Sequence, residues 1–169
     1  LLLTALACAY FPRAHAQTPQ LEVLSSDGEL NANVAAHIRL PTLRCDADER
    51  QLTRGLRSQR ATLDASVRDA AQALGYYQTL TEYSFSAAGQ PSNSDDCWTL
   101  TLQIEPGIAT LVESVEVSIL AQPELFGATL ASLPLVAQTQ LNHDNYESSK
   151  ALLLSRALEL GFLDARFVE

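Results

Sequence analysis

Side chains that could do chemistry are sparse and scattered in this chain of 169 residues. His37 and His143 lie far apart in sequence, and two histidines without a third ligand at suitable spacing do not make a metal site. No serine lies in a Gly-x-Ser-x-Gly elbow, and no glycine-rich phosphate loop is present. The sequence therefore predicts no catalytic residue, no metal ligand and no cofactor, and we expect a protein that is not an enzyme.

The charge balance limits the class of partner. The chain has 11 basic and 20 acidic residues and a net charge of −9. Such an acidic protein lacks the positive surface that a phosphate backbone requires, and it does not favour an anionic membrane surface. We therefore expect no nucleic-acid partner. Acids such as Asp46 and Glu49 are best explained as helix caps and solvated loop residues.

The first residues are typical of export. Residues 1–11 are almost entirely apolar, and Ala14-His15-Ala16 has the small residues that signal peptidase accepts. We predict a signal peptide over 1–16, incomplete at its N-terminus and cleaved after Ala16, and a periplasmic location for the mature chain. The alternatives are an ordinary buried helix and, less favoured, lipidation at Cys8.

Two cysteines remain after the leader, Cys45 and Cys97. In an oxidising compartment such a pair is usually bridged. The bridge would close a loop of 52 residues, which is worth roughly 4 kcal/mol on the chain-entropy model. The alternative is two unrelated buried thiols.

An internal repeat organises the rest of the chain. Two helices end in the same way, with apolar residues at i, i+4 and i+7 followed by glycine and an aromatic residue. The two stops lie 86 residues apart and consist of Val67, Ala71, Leu74, Gly75, Tyr76 and Tyr77 in the first, and of Leu153, Ala157, Leu160, Gly161 and Phe162 in the second. The repeat therefore contains a helix, a glycine stop and a following strand.

The first unit, residues 17–106, is predicted as strand, helix, helix, strand, strand. The strands are 21–24, 79–85 and one in which Trp98, Leu100, Leu102 and Ile104 alternate with polar residues. Capping-box spacing places helix starts at Ser26 and Asp46. The first helix should end near Pro41, and Gly55 should interrupt the second before a main segment over about 61–74.

The second unit, residues 107–169, restarts the same order. We predict a strand at Val115, Val117 and Ile119, and a helix over 123–133. Inward-facing residues of that helix would be Leu125, Phe126, Leu130 and Leu133. A helix over 146–160 would be capped by Asp144 or Asn145, and a strand would begin at Phe162 and run to Val168. The last strand of this unit is expected to be absent, which would make the unit the less stable one.

The pattern resembles tandem POTRA domains of the TamA family, the outer-membrane subunits of the translocation and assembly module. The resemblance covers residues 20–169. It is carried by ASVRDAAQALGYY at 65–77, by Leu-Arg-Cys-Asp at 43–46, by Ile-Glu-Pro-Gly at 104–107 and by residues 145–164 with their Gly-Phe-Leu-Asp end. It implies an α+β fold, in which each module has a small mixed three-stranded sheet backed by two helices. The second module would be truncated, and the chain would be a fragment of a longer protein.

The function implied by the resemblance is a periplasmic, chaperone-like platform for outer-membrane protein assembly. Its partners would be a TamB-like periplasmic protein, nascent outer-membrane proteins and the family's own C-terminal barrel, which this chain does not contain. Two alternatives remain open: spacer modules that bind nothing specifically, and the POTRA region of a BamA or two-partner-secretion transporter.

An edge strand is the expected binding element. An unpaired strand edge can accept an extended segment through main-chain hydrogen bonds. We place this edge at about 79–85, with Thr81, Tyr83 and Phe85 as candidate binding residues. The competing interpretation is that Tyr83 and Phe85 pack the core under the helices, and that Tyr76 and Tyr77 are packing anchors at the helix stop.

Overall fold

The computed structural model describes residues 18–87 and 97–168. The predicted leader with its cleavage site, and most of the predicted loop at 87–96, lie outside the described residues. The elements are β1 (Gln20–Leu24), α1 (Gly28–His37), α2 (Glu49–Ala73), β2 (Leu80–Ser86), β3 (Thr99–Glu105), a 3-10 turn (Pro123–Phe126), α3 (Gly127–Ala131) and α4 (His143–Glu159). The first five elements have the predicted order of strand, helix, helix, strand, strand.

A mixed three-stranded sheet forms the base of the first unit. Its order is β1-β3-β2, with β3 in the centre. β1 runs parallel to β3, with Leu21 opposite Leu100, and β2 runs antiparallel to it, with Tyr83 opposite Leu102. The predicted α+β fold with a small mixed sheet is confirmed.

The core of the first unit lies between β3 and the two helices. On β3, side chains alternate between the two faces, so Trp98, Leu100, Leu102 and Ile104 are all at most 3% exposed. The helices supply the opposite side of this core with Leu30 and Val34 from α1 and Leu52, Leu63, Val67, Ala70 and Ala71 from α2. A disulfide joins Cys45 to the buried Cys97 at the start of β3.

Helix α2 is continuous, so the predicted interruption at Gly55 is wrong. The helix has 25 residues and passes through Gly55 without a break. A Cβ at this position would lie 2.6 Å from Leu43 Cδ1. The glycine therefore gives room to the segment before the helix, and continuous packing of the helix outweighs its low helix propensity.

The starts and ends of the helices in the first unit also differ from prediction. Asp27, not Ser26, caps α1, and Asp48 caps α2 in a capping box with Gln51. In both cases the carboxylate of an aspartate one or two residues after the predicted cap accepts from the free amides. α1 ends at His37, and Ile38 is already extended.

The second unit is helical, and its predicted strands are not formed. Val115–Ile119 and Phe162–Val168 have no strand assignment in the structure. In the described part of 107–168 the extended pairing involves two isolated bridges, Tyr76 with Ala109 and Leu111 with Gln140. Backbone hydrogen bonds between 110–112 and 138–141 surround the second bridge. Alternation of apolar residues predicts which side chains could share a face, but a strand also requires a neighbouring strand to pair with.

Helix α4 organises the small core of the second unit. Phe126, Leu153 and Ala157 are buried, with Leu130, Leu133, Leu160 and Phe162 partly buried around them. The prediction that Leu125 faces inward is wrong, because 38% of it is exposed. Asn142 caps α4 and accepts from the amides of Asp144 and Asn145, so neither of those two residues is the cap.

Candidate partner-binding surfaces

Strand β2 lies at one edge of the sheet. Within the described part of the chain β3 is its only strand neighbour, and β1 forms the opposite edge. β2 has seven residues and β1 has five, so β2 offers the longer run of backbone. In an edge strand every second residue points its N–H and C=O away from the neighbouring strand, where an extended segment can bind them.

The side chains at Thr81, Tyr83 and Phe85 face the helices, while Leu80, Glu82 and Ser84 are exposed on the other face of the sheet. The Tyr83 hydroxyl donates to Asp64 Oδ1 at 2.7 Å, and the Arg60 guanidinium lies 4.0 Å above the Tyr83 ring. Burial, together with the hydrogen bond to Asp64, raises the pKa of Tyr83 well above its ordinary value. The inner-face side chains therefore fasten β2 to α2.

The first glycine stop joins the two units. Gly75 has a φ of +80°, which ends α2 in the left-handed conformation. Its carbonyl accepts from the amide of Thr110 at 3.0 Å, and a Cβ here would lie 2.6 Å from the carbonyl oxygen of Leu141. Gln140 Nε2 adds a hydrogen bond of 2.7 Å to the Leu74 carbonyl. The backbone of the second unit thus packs directly against the end of α2.

The two tyrosines after Gly75 have different surroundings. Tyr76 is 8% exposed, and its hydroxyl donates to Asp27 Oδ2 at 2.7 Å. This bond is the main cause that lowers the pKa of Asp27, the residue that caps α1. Tyr77 is 47% exposed, and its hydroxyl lies 3.2 Å from His143 Nε2 of the second unit.

The second glycine stop has no neighbour comparable to Leu141. Gly161 has a φ of +88°, and no atom of the described residues lies within 4 Å of the position of a Cβ. Phe162 packs against Phe126 with ring centroids 6.4 Å apart. The same sequence pattern therefore ends one helix inside a junction and the other in open space.

An apolar groove of about 830 Å³ runs along the second unit. It lies between α4 and the segments at 117–121 and 161–168, the two stretches for which the sequence predicts strands. Several large apolar side chains of these segments are exposed, among them Leu120, Leu163, Phe167 and Val168.

Groups for catalysis do not converge in the described residues. His37 is exposed on α1, with Nδ1 2.8 Å from the Asn33 carbonyl, and His143 lies at the start of α4. Within 18–87 and 97–168 no group of three His, Cys, Asp or Glu side chains could hold a metal ion. The helices in these ranges also include none that is long and apolar enough to span a membrane.

Sequence reasoning missed two residues of the junction, Asp27 and Gln140. The capping-box spacing of Ser26 and Glu29 led to a predicted cap one residue too early, although Asp is as good a cap as Ser. Nothing in the sequence pointed to Gln140, because its role depends on how the second unit folds back on Leu74.

The family model for the first POTRA domain of TamA matches residues 20–106. These residues are the sheet, its two helices and the disulfide described above. The chain belongs to the TamA POTRA family. POTRA domains of this family are non-catalytic scaffold domains in the periplasmic part of outer-membrane proteins, with a role in outer-membrane protein assembly. The match ends at Pro106, which is also the predicted end of the first unit.

Proposed function

We propose that this chain is a periplasmic binding platform that receives extended segments of other proteins at the β2 edge and performs no catalysis itself. In this proposal its partners are a TamB-like periplasmic protein and nascent outer-membrane proteins. The observation that carries the proposal is the position of β2, a seven-residue strand paired on one side by β3. Membership of a scaffold family with an assembly role supports it.

The exposed face of β2 has one apolar, one acidic and one hydroxyl side chain, so it does not select for a single chemical class of client. Leu80 is 66% exposed, and Glu82 and Ser84 are exposed beside it. Main-chain hydrogen bonds from β2 would provide affinity for any extended segment, and alternate side-chain contacts would provide modest selectivity. Such a surface suits a platform that handles many unfolded clients.

Residues 107–169 are, in the same proposal, a second POTRA-like domain. Two observations support it. Gly161 ends α4 with a positive φ, as Gly75 ends α2, and an apolar cluster surrounds Phe126 and Leu153.

Hydrogen exchange tests the edge proposal directly. The chain is mixed with a urea-unfolded outer-membrane β-barrel protein, diluted out of urea, and exchange is followed by peptide mass spectrometry. Binding at the edge predicts slower exchange in 80–86 and unchanged exchange in α2. Protection confined to other segments would reject the β2 edge as the binding element.

A matched pair of substitutions separates the edge from the sheet surface. A lysine on an edge strand hinders pairing with another chain, so Ser84→Lys should weaken client binding. Gln103→Lys places the same charge on the exposed face of the central strand, where no free edge exists, and should leave binding unchanged.

A spacer that holds other domains apart is the second candidate. The hydrogen bonds from Thr110 and Gln140 to the end of α2 favour it, because they fix the second unit against the first. A spacer predicts that neither the unfolded client nor a TamB-like protein is retained by the immobilised chain.

A further inference from the structure

Helix α2 concentrates positive charge in an acidic protein. Arg50, Arg54 and Arg57 follow one another at i, i+4 and i+7, so they share one face of the helix. All three are exposed, and they line a shallow depression of about 490 Å³ together with Thr53 and Glu49. We call Arg50, Arg54 and Arg57 the arginine face.

The arginine face has no acidic partner within the described residues. Four other basic side chains are paired there at 2.8–3.2 Å, each with an acid two to four residues away in sequence: Arg44, Arg60, Lys150 and Arg156. Glu49 is the one acid in the depression, and its carboxylate makes no ion pair with any of the three arginines. Among the described residues, no acid therefore occupies these three guanidinium groups.

Charge interactions within the helix do not explain why three arginines share one face. Positive side chains near the N-terminus of a helix oppose the helix dipole, which favours acids there. Like charges at i, i+4 and i, i+3 also repel one another. Arg50 lies in the first turn and opposes the dipole, and the spacing of the three arginines places like charges side by side. Charge interactions within the helix therefore do not account for the arginine face.

Guanidinium groups select the ligand chemistry. The planar fork of arginine binds carboxylate and phosphate groups through two parallel hydrogen bonds. An anionic membrane would approach a large part of the chain and would meet the repulsion of its net charge of −9. A single peptide segment meets mainly the groups within about 8 Å, the screening length at physiological salt. The carboxylates of a polypeptide are therefore favoured over lipid phosphates.

We propose that the arginine face binds an acidic segment of a partner protein. From Arg50 to Arg57 the helix rises about 10 Å, which matches about three or four residues of extended chain. Two carboxylates on alternate residues of that segment can reach different arginines. This contact is separate from the β2 edge, because it depends on side-chain charge and not on main-chain pairing.

The test uses a fluorescent 12-residue peptide of alternating Glu and Thr, with a Gln-Thr peptide of equal length as the uncharged control. Binding to the whole chain is measured by anisotropy at about 0.15 M salt, where charges act over about 8 Å, and again at about 1 M, where they act over about 3 Å. We expect the acidic peptide alone to bind and its affinity to fall at the higher salt.

Two double variants with the same change in net charge provide the decisive comparison. Arg54→Glu/Arg57→Glu reverses the arginine face, and Arg39→Glu/Arg166→Glu reverses two exposed arginines elsewhere. The first should raise the Kd by about tenfold or more, because attractive contacts become repulsive. The second should change it much less. Circular dichroism melting shows whether each variant is folded, and Arg54→Gln/Arg57→Gln replaces the first variant if it is not.

Three results would overturn the proposal. The first is no binding of the acidic peptide at about 0.15 M salt, and the second is an equal loss in both double variants. The third is binding of phosphatidylglycerol vesicles, lost in Arg54→Glu/Arg57→Glu, without binding of the peptide, which would assign the arginine face to a membrane. None of these results concerns the β2 edge, which hydrogen exchange tests separately.

Discussion

The two units share a helix stop but differ in what covers their helices. In the first unit a complete sheet lies under α1 and α2, and sixteen described residues form one buried cluster. In the second unit the buried cluster is Phe126, Leu153 and Ala157, and α4 borders an open groove. Both sequences contain enough apolar residues for a core. The larger core forms where a central strand presents a continuous apolar face to the helices.

The largest expected difference between the units comes from the disulfide. Cys45→Ser/Cys97→Ser releases a loop of 52 residues, and we expect the first unit to lose about 4 kcal/mol of unfolding free energy. Urea unfolding with peptide-resolved hydrogen exchange measures this loss. Exchange in α4 should change much less than in α1 and β3. Equal losses in both units would show that they unfold as one cooperative body.

Leucine-to-alanine substitutions in the two cores compare how much each core contributes to the free energy of unfolding. Leu102 is fully buried on the central strand, and Leu153 is 8% exposed beside the groove. Leu102→Ala should cost about 3 kcal/mol of unfolding free energy, within the range for buried leucines. Leu153→Ala should cost less, because the surroundings can relax and water already reaches the groove. A larger loss at Leu153, measured by urea unfolding, would contradict the comparison.

The two glycine stops provide a finer comparison. Gly161→Ala should cost about 1 kcal/mol, the strain of an L-residue at positive φ. Gly75→Ala should cost about 2 kcal/mol or more, because its Cβ would also press on the Leu141 carbonyl. Thermal melting gives both values. Gly75→Ala should in addition speed hydrogen exchange at the amides of Thr110 and Leu141. Unchanged exchange at both amides would contradict the close packing of Gly75 against Leu141.

The smallest expected effect is a dependence on pH at Asp27. The Tyr76 hydrogen bond lowers the pKa of this carboxyl in the folded state. Its stabilising contribution is therefore present above the unfolded pKa of about 3.9 and is lost as the pH falls through the lower folded value. The melting temperatures of the wild type and Tyr76→Phe should differ at pH 7 and converge only as the pH falls below the unfolded value of about 3.9.

Tyr146→Phe is the control for this measurement. Tyr146 is 48% exposed, and within the described residues its hydroxyl makes no hydrogen bond to an acid. Its melting temperature should follow that of the wild type at every pH. A gap at Tyr76→Phe that does not shrink at any pH below about 3.9 would show that Asp27 is not the linked group.

The first unit was largely predictable because its signals are local. Alternation from Trp98 to Ile104 identifies the central strand, and the glycine after Leu74 marks the end of α2. The continuous helix through Gly55 was not predictable, since the reason for the glycine is the contact with Leu43. Residues 115–119 show the same limit. Their alternation is visible in the sequence, but the absence of a strand to pair with them is not.

The candidate surfaces were predictable only in part. The sequence identified the β2 region as a strand, and membership of the POTRA family follows from motifs over the first unit. The orientation of Tyr83 towards Asp64 depends on the packing of α2. The arginine face was hidden by the total charge, because a sum of −9 does not show that three cations share one side of a helix.

Trp98 is the one tryptophan of the chain. It is 2% exposed, and it directly follows Cys97 of the disulfide. An indole shielded from water emits in the blue, and unfolding that exposes the ring shifts this emission to the red. The emission of Trp98 therefore reports the packing beneath the two helices directly, without any added dye.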